Sequence, residues 1–316
     1  MTSAAEARQN SAVTIAGLLL VDKPIGPTSH DVVARVRRVL RERRIGHTGT
    51  LDPMASGLLP LVIGAATRLA PVLTGSDKTY DATIRLGVAT TTDDAMGAPI
   101  GESVDASSLS DEAIRDALAA FHGTFDQRPP AHSAKKIGGV KAYELARQAK
   151  DVPVVPVPVT VHAIDWLGRT GNDVSIRVTA AAGFYVRALA RDLGERLGCG
   201  GHLTALRRVR SGPFGVDRAV QLPELEAGGR DAVVSRLIAP EDALPHLPGL
   251  TLNEAGLKRA VHGNWVGPEH VQEAVATVVG RVEDGRSLFK LLAPNGHLVG
   301  LARTKAGAWH PVVVLG

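Results

Sequence analysis

Gly46-His-Thr-Gly-Thr-Leu-Asp-Pro-Met-Ala-Ser-Gly-Leu-Leu-Pro60 sets a single carboxylate, Asp52, among glycines and leucines. Asp52-Pro53 taken alone is turn chemistry, since Asp before Pro commonly opens a turn. The surroundings carry more. Gly46, Gly49 and Gly57 permit bends and the close approach of another molecule, while Leu51, Leu58, Leu59 and Leu61 offer apolar walls. Desolvation would raise the pKa of a solitary acid there and neutralise it, so an acid that stays charged needs a cation, and an arginine fork holds a carboxylate best.

Upstream, the apolar run 15–21 ends in Asp22-Lys-Pro-Ile-Gly-Pro27, the pattern of a buried strand entering a rigid turn. Ser29 opens a helix with Val32, Val33, Val36, Val39 and Leu40 at helical spacing. Arg35, Arg37, Arg38, Arg41, Arg43 and Arg44 occupy its other surface and its end, either as a solvated face or as phosphate contacts. Downstream, residues 79–88 alternate as a half-buried strand that turns Tyr80 inward. Ser110 caps a helix that ends near Gly123, and a polar loop over 127–139 leads to a helix over 141–150. Alternating Pro and Val over 152–159 suit an edge strand, followed by strands at 163–167 and 174–180. Residues 184–197 form a helix stopped by Gly198, and Arg207, Arg208 and Arg210 make a second basic cluster. This irregular alternation gives an α+β class with a mostly antiparallel sheet. The stretch 241–249 has the composition of a linker, after which a short helix over 252–259 and strands at 287–292, 297–304 and 309–315 form a small β-barrel-like module. The expected organisation is a loose tail over 1–12, a main domain over 13–245 and a second domain over 250–316.

In bulk, the 316 residues carry 36 Lys and Arg against 32 Asp and Glu, a net charge of +4 that admits a polyanionic partner where the cations cluster. One cysteine, Cys199, can form no internal disulfide and points to the cytoplasm. No run approaches the ~20 apolar residues of a membrane span, and the first dozen residues lack the apolar core of a signal peptide. Scattered histidines and a lone thiol argue against a metal site.

The segment from Gly46 to Pro60 closely resembles the catalytic motif of the bacterial tRNA pseudouridine-55 synthases. Its heart, Leu51-Asp52 followed by Ser56-Gly57, is also similar to the shorter signature shared by several pseudouridine synthase families. Further blocks agree in order: Leu18-Leu-Leu-Val-Asp-Lys-Pro-Ile-Gly-Pro-Thr-Ser29 resembles the opening motif, Asp77-Lys-Thr-Tyr80 the base-stacking strand, and residues 127–147 the Pro-Pro and Ala-Tyr-Glu block. Gly183-Phe-Tyr-Val-Arg-Ala-Leu-Ala-Arg-Asp-Leu-Gly194, with Leu206-Arg-Arg208, resembles the motif that supplies an arginine to the aspartate. The chain departs from the pattern in Ala180-Ala-Ala182 and Phe184, which bears on local hydrogen bonds.

The resemblance implies a pseudouridine-synthase core with a mostly antiparallel mixed sheet flanked by helices, and a C-terminal PUA-like β-barrel. It implies a cofactor-free, monomeric isomerase acting on the T arm of tRNA, with no membrane or protein partner required. Asp52 would be the nucleophile, paired with Arg187, and Tyr80 would stack on the flipped uracil and serve as a proton acceptor. His47 would fill the vacated base stack, Tyr185 and Leu206 would line the uracil pocket, and Lys23 would shape the loop or meet a phosphate. Two other readings share this surface: a folding chaperone of tRNA, and a guide-RNA-dependent relative acting on ribosomal RNA.

Overall fold

The apolar run near the start becomes β1 (Gly17–Lys23), buried at every position in the computed structural model, which describes residues 15–130, 136–137, 140–141, 155–274 and 287–315. Thr28 then caps α1 (Ser29–Leu40): its hydroxyl accepts from Asp31 N–H, and the Asp31 carboxylate accepts from Thr28 N–H. The motif loop runs from β2 (Ile45–His47) into β3 (Ala55–Ile63), whose apolar side chains are buried on both faces. After α2 (Ala70–Thr74) come β4 (Lys78–Leu86), the ribbon β5 (Ala89–Thr90) with β6 (Pro99–Ile100), α3 (Asp111–Ala119), capped by Ser110 as its sequence indicates, and β7 (Gly123–Gln127). A second ribbon, β8 (Lys136–Ile137) with β9 (Val140–Lys141), precedes β10 (Val157–Thr170), β11 (Asp173–Ala180), α4 (Val186–Arg196), β12 (Gly201–Ser211), β13 (Phe214–Gly215), β14 (Val220–Gln221) and α5 (Leu222–Val234).

The main sheet has the order β14-β1-β3-β12-β4-β11-β10-β7, with β2 added on β3 and β13 on β12. Among the described strands of this sheet only the β1/β14 and β3/β12 pairs are parallel, so the mostly antiparallel α+β expectation holds. Pro158 sits where β10 pairs β7 alone, so its missing N–H costs no second ladder. Most of the expected helix 141–150, the segment 152–154 and the tail 1–12 lie outside the described residues.

The second basic cluster is divided by the sheet: Arg207, Arg208 and Arg210 belong to β12, between β3 and β4, where Arg208 is 1 % exposed while Arg207 and Arg210 reach the surface. Two register shifts, between Leu203 and Ala205 and between Arg208 and Arg210, break the period-two pattern that would have marked the strand. Gly57 permits its pairing: at φ +102°, an added Cβ would lie 2.3 Å from Arg208 O, so this glycine admits the protein's own strand rather than another molecule.

The C-terminal module comprises β15 (Gly249–Leu252), α6 (Glu254–Val261), β16 (Val271–Ala274), β17 (Leu288–Leu292), β18 (Leu298–Lys305) and β19 (Ala308–Val314). Its described strands form a five-stranded sheet with β16 and β19 at the two ends. The stretch expected as a linker is instead packed: Ala243 and Leu244 are buried with Leu18, Leu20, Leu58, Val62, Leu298, Leu301 and Leu315 in one apolar cluster. Alternate residues of β1 and β3 therefore serve two cores, Leu19, Val21, Leu59 and Leu61 facing the helices while Leu18, Leu20, Leu58 and Val62 face the C-terminal module.

This shared core predicts coupled melting. Leu301→Ala is expected to destabilise the whole chain by ~2–5 kcal/mol, with a single transition in scanning calorimetry. Two separate transitions would show that the modules fold independently.

Candidate active site

Asp52 leaves the motif loop with its side chain 34 % exposed, and Arg187 Nε lies 3.0 Å from its Oδ2. Arg187 itself is buried at the first turn of α4 and has a second acidic neighbour: Nη1 donates to Thr92 O at 3.0 Å and lies 3.7 Å from Asp94 Oδ2. Asp94 is fixed in turn by the Thr92 hydroxyl (2.6 Å) and Met96 N–H (3.0 Å). One helical turn on, Arg191 repeats the theme, donating to Asp93 Oδ2 (3.0 Å), Asp192 Oδ1 (2.8 Å) and Arg128 O (2.7 Å). Burial pushes the Asp93 and Asp192 carboxyls up, against the pull of Arg191. Arg187 is thus a buried guanidinium between two carboxylates, of which Asp52 faces open space. Sequence reasoning passed over the pair Asp93-Asp94; two adjacent acids just after a strand were the available signal.

That space is a cavity of about 300 Å³ lined by Asp52, Tyr80, Tyr185, Arg187 and Leu206, five of the seven residues singled out in the sequence. Strand alternation delivers Tyr80, as expected: Lys78, Tyr80, Ala82 and Ile84 share one face of β4, while Asp81 and Arg85 on the other face pair with Arg177 and Asp173. The departing residues Ala181, Ala182 and Phe184 line the same wall, and Ala181 N–H donates to Thr160 O at 2.9 Å. Two cations to which the sequence assigned no place in the site, Arg208 and Lys78, also line it. Arg208 Nε donates to Leu58 O and Nη2 to Gly49 O, and Lys78 Nζ donates to Thr74 O and Ser76 O. Burial, reinforced by Arg208, lowers Lys78 to about 8.

His47 and Lys23 stand off the cavity. Lys23 is fully buried, and its ammonium donates to Pro24 O (2.9 Å) and Pro27 O (2.8 Å), which closes the turn before α1 and leaves the phosphate reading without support. Burial lowers its pKa to about 8, with Asp52 opposing the shift. His47, at the end of β2, meets His30 edge to face with ring centroids 5.2 Å apart. Its Nδ1 accepts from Gly49 N–H at 3.4 Å, which requires an uncharged nitrogen, and desolvation with nearby His30 and Arg208 lowers its pKa to about 4. Arg37, Arg38, Arg41, Arg43 and Arg44 are exposed beside this loop, and Arg37 also donates to Ile45 O. Among the described residues no cluster of His, Cys, Asp and Glu has the arrangement of a metal site, and no helix is long and apolar enough to cross a membrane.

The depressed His47 pKa has a signed consequence. Between about 6.5 and about 4 the unfolded chain takes up a proton that the native ring refuses, so acidification through this window removes stability. His47→Gln is therefore expected to show a smaller fall in Tm than the wild type on going from neutral pH to the lower end of that range. Parallel Tm–pH curves would show that the folded ring protonates freely.

Comparison with known proteins places this geometry. The family model for the TruB family pseudouridylate synthase N-terminal domain matches residues 37–186, and that for the tRNA pseudouridylate synthase B C-terminal domain matches residues 187–244. The tRNA pseudouridine synthase B of Aromatoleum aromaticum is 50 % identical over 244 residues, 76 % of this chain and 78 % of that protein. The protein of the same name from Thermobifida fusca is 42 % identical over 306 residues, 94 % and 98 % of the two chains. Among solved structures, a chain of a Cbf5-Nop10-Gar1 complex superposes with a TM-score of 0.72 at 28 % identity, covering 95 % of this chain and 85 % of that one. A chain of an H/ACA RNP bound to a substrate RNA containing 2'-deoxyuridine gives 0.71 at 26 %, covering 95 % and 85 %. A cavity holding an arginine-paired aspartate beside a tyrosine, matching family models over most of the main sheet, and relatives aligned along nearly the whole chain agree: the chain belongs to the TruB family of pseudouridylate synthases.

Proposed function

We propose that this protein isomerises uridine 55 in the T arm of tRNA to pseudouridine, working in the cytoplasm as a monomer and without a cofactor. The observation that carries the reading is the Asp52–Arg187 pair, 3.0 Å apart, opening onto a cavity of about 300 Å³ beside Tyr80. The relatives' shared name supplies the substrate class. The reaction breaks the C1'–N1 bond, turns the uracil and rejoins it to C1' through C5, so atoms and electrons balance with no donor or oxidant.

A cavity of that size admits one base, not a stacked strand, so the uridine must be flipped out at a cost of a few kcal/mol. The exposed arginines of α1 and the loop after it offset this cost through phosphate contacts, and the uncharged ring of His47 enters the vacated stack without a desolvation penalty for charge. Tyr80 stacks on the flipped uracil and accepts a proton, and Tyr185 and Leu206 wall the base, a reading supported by all three lining the cavity. Asp52 acts as nucleophile at C1' or at C6, or assists glycal formation. All three routes need an ionised carboxylate aimed at the nucleotide, and the Arg187 fork supports both conditions. Residues 250–316 act as a PUA-like RNA-binding domain attached to the catalytic domain 13–245, with Lys258, Arg259 and His262 directed to the acceptor end of the tRNA.

A second reading, guided action on ribosomal RNA, draws on the likeness to chains of H/ACA complexes. Turnover on a minimal T-arm hairpin, with no other protein or RNA present, is the expected result and excludes it. Asp52→Asn is expected to bind tRNA normally and form no pseudouridine when the product RNA is mapped; retained isomerisation would remove Asp52 as nucleophile, and retained binding with no turnover measures the chaperone contribution alone. Arg187→Lys is expected to lose on the order of 100-fold in turnover with far less change in RNA affinity, since an ammonium cannot replace the fork. Equal losses in both would make Arg187 an RNA contact.

A further inference from the structure

The loop carrying Asp52 and the helix start carrying Arg187 are each gripped by a buried polar side chain from a distant part of the chain. Ser29, 1 % exposed, accepts Leu51 N–H at Oγ (2.8 Å) and donates its hydroxyl to Leu51 O (3.1 Å). Gln127, also 1 % exposed, accepts Tyr185 N–H at Oε1 (2.9 Å) and donates from Nε2 to Tyr185 O (3.1 Å). Leu51 immediately precedes Asp52, and Tyr185 is the N-cap residue of α4, two positions before Arg187. Neither Ser29 nor Gln127 lines the cavity.

The secondary structure around them does not require these side chains. Thr28, not Ser29, caps α1, so the Ser29 hydroxyl is spare for the helix. Gln127 pairs with Val157 through its backbone at the end of β7, so its amide is spare for the sheet. Each clamp engages both the donor and the acceptor of one residue's backbone, so that backbone cannot slide or rotate without leaving buried polar atoms unpaired. Beyond Ser29, the Asp52 loop is tied by Thr48 N–H to Pro60 O (3.1 Å) and Arg208 to Gly49 O (3.0 Å) before Leu51, and by Gly26 N–H to Pro53 O (2.8 Å) and Ala55 N–H to Asp52 O (3.0 Å) after it; Ser29 alone among these holds the residue next to Asp52 on its N-terminal side.

We propose that Ser29 and Gln127 are positioning residues for the isomerisation: together they set the distance and angle of Asp52 relative to Arg187, Ser29 through Leu51 and Gln127 through the first turn of α4. This rests on the reading of Asp52 and Arg187 as the reacting pair. The fold itself survives loss of either clamp, because the sheet and both cores hold these elements in place; what is lost is the alignment of the pair, to which a step of this kind is far more sensitive than binding is.

The test uses the full chain and a T-arm hairpin, with Kd, single-turnover rate and Tm measured for Ser29→Ala, Ser29→Thr, Gln127→Met, Gln127→Glu and Asp52→Asn. Ser29→Ala and Gln127→Met are expected to slow the single turnover by roughly 10- to 100-fold, with Kd within about twofold of the wild type and a cooperative melt retained. Ser29→Thr restores the hydroxyl and most of the rate; Gln127→Glu keeps the acceptor, loses the donor and falls between. Wild-type rates in Ser29→Ala and Gln127→Met, or losses of rate and affinity in equal measure, overturn the proposal. Should either of those variants fail to fold, the conservative variants decide: a wild-type rate in Gln127→Glu, or a Ser29→Thr as slow as Asp52→Asn in a folded protein, overturns it. Isomerisation by Asp52→Asn would sink the underlying assignment instead, which separates the two failures.

Discussion

The contact between Asp52 and Arg187 governs how the surrounding structure has to be built. Arg187 reaches a carboxylate that opens onto the cavity, and a guanidinium that is itself buried can stay desolvated only if its other donors are met. Arg187 meets this requirement with Thr92 O and Asp94 on its inner side, so the outward carboxylate is one of two. Arg191 holds Asp93 in the same way, which secures the loop from which Asp94 projects, although Asp93 adopts a left-handed backbone at φ +61°. Ion networks of this kind add little net stability; their contribution is a defined geometry.

The sheet supplies the frame for that geometry. Parallel pairing of β3 with β12 sets Leu206 opposite Ala55 and Arg208 opposite Gly57, and antiparallel pairing of β12 with β4 sets Arg208 beside Tyr80. The walls of the cavity are therefore registered against the motif loop by backbone hydrogen bonds. Because β1 and β3 carry apolar side chains on both faces, they need cover on both, and the C-terminal module provides the second layer through Leu298, Leu301 and Leu315. An apparent appendage is in this sense part of the floor on which the site is built.

Electrostatically the region is rich in cations. Lys23, Lys78, Arg187 and Arg208 are all buried around one exposed-facing carboxylate and Asp94, and desolvation lowers both lysines to about 8. Lys23 is spent on backbone carbonyls of the turn before α1 and Arg208 on those of the motif segment, where they fix loops that have few ladder bonds of their own. The positive surroundings also favour a ligand that is anionic or becomes so, as a uracil detached from C1' does.

Much of this was legible in the residue order. Local periodicity marked β1, α1, β4 and α4, because a strand or helix that buries one face writes its period into adjacent residues; the carboxylate in a Gly and Leu loop and the inward Tyr80 followed from the same reasoning. Arg187, Tyr185 and Leu206 entered only through family resemblance, since nothing in a helix start announces a partner more than a hundred residues away. Tertiary structure alone decided the rest: β12 hid its alternation behind two bulges and three arginines, Asp94 acquired its meaning from Arg187, and Gln127 and Ser29 bond to backbone groups 58 and 22 residues distant. Sequence records what each segment buries, because burial is a property of the side chains themselves. Which buried polar groups find one another depends on strand order and register, and those exist only once the chain has folded.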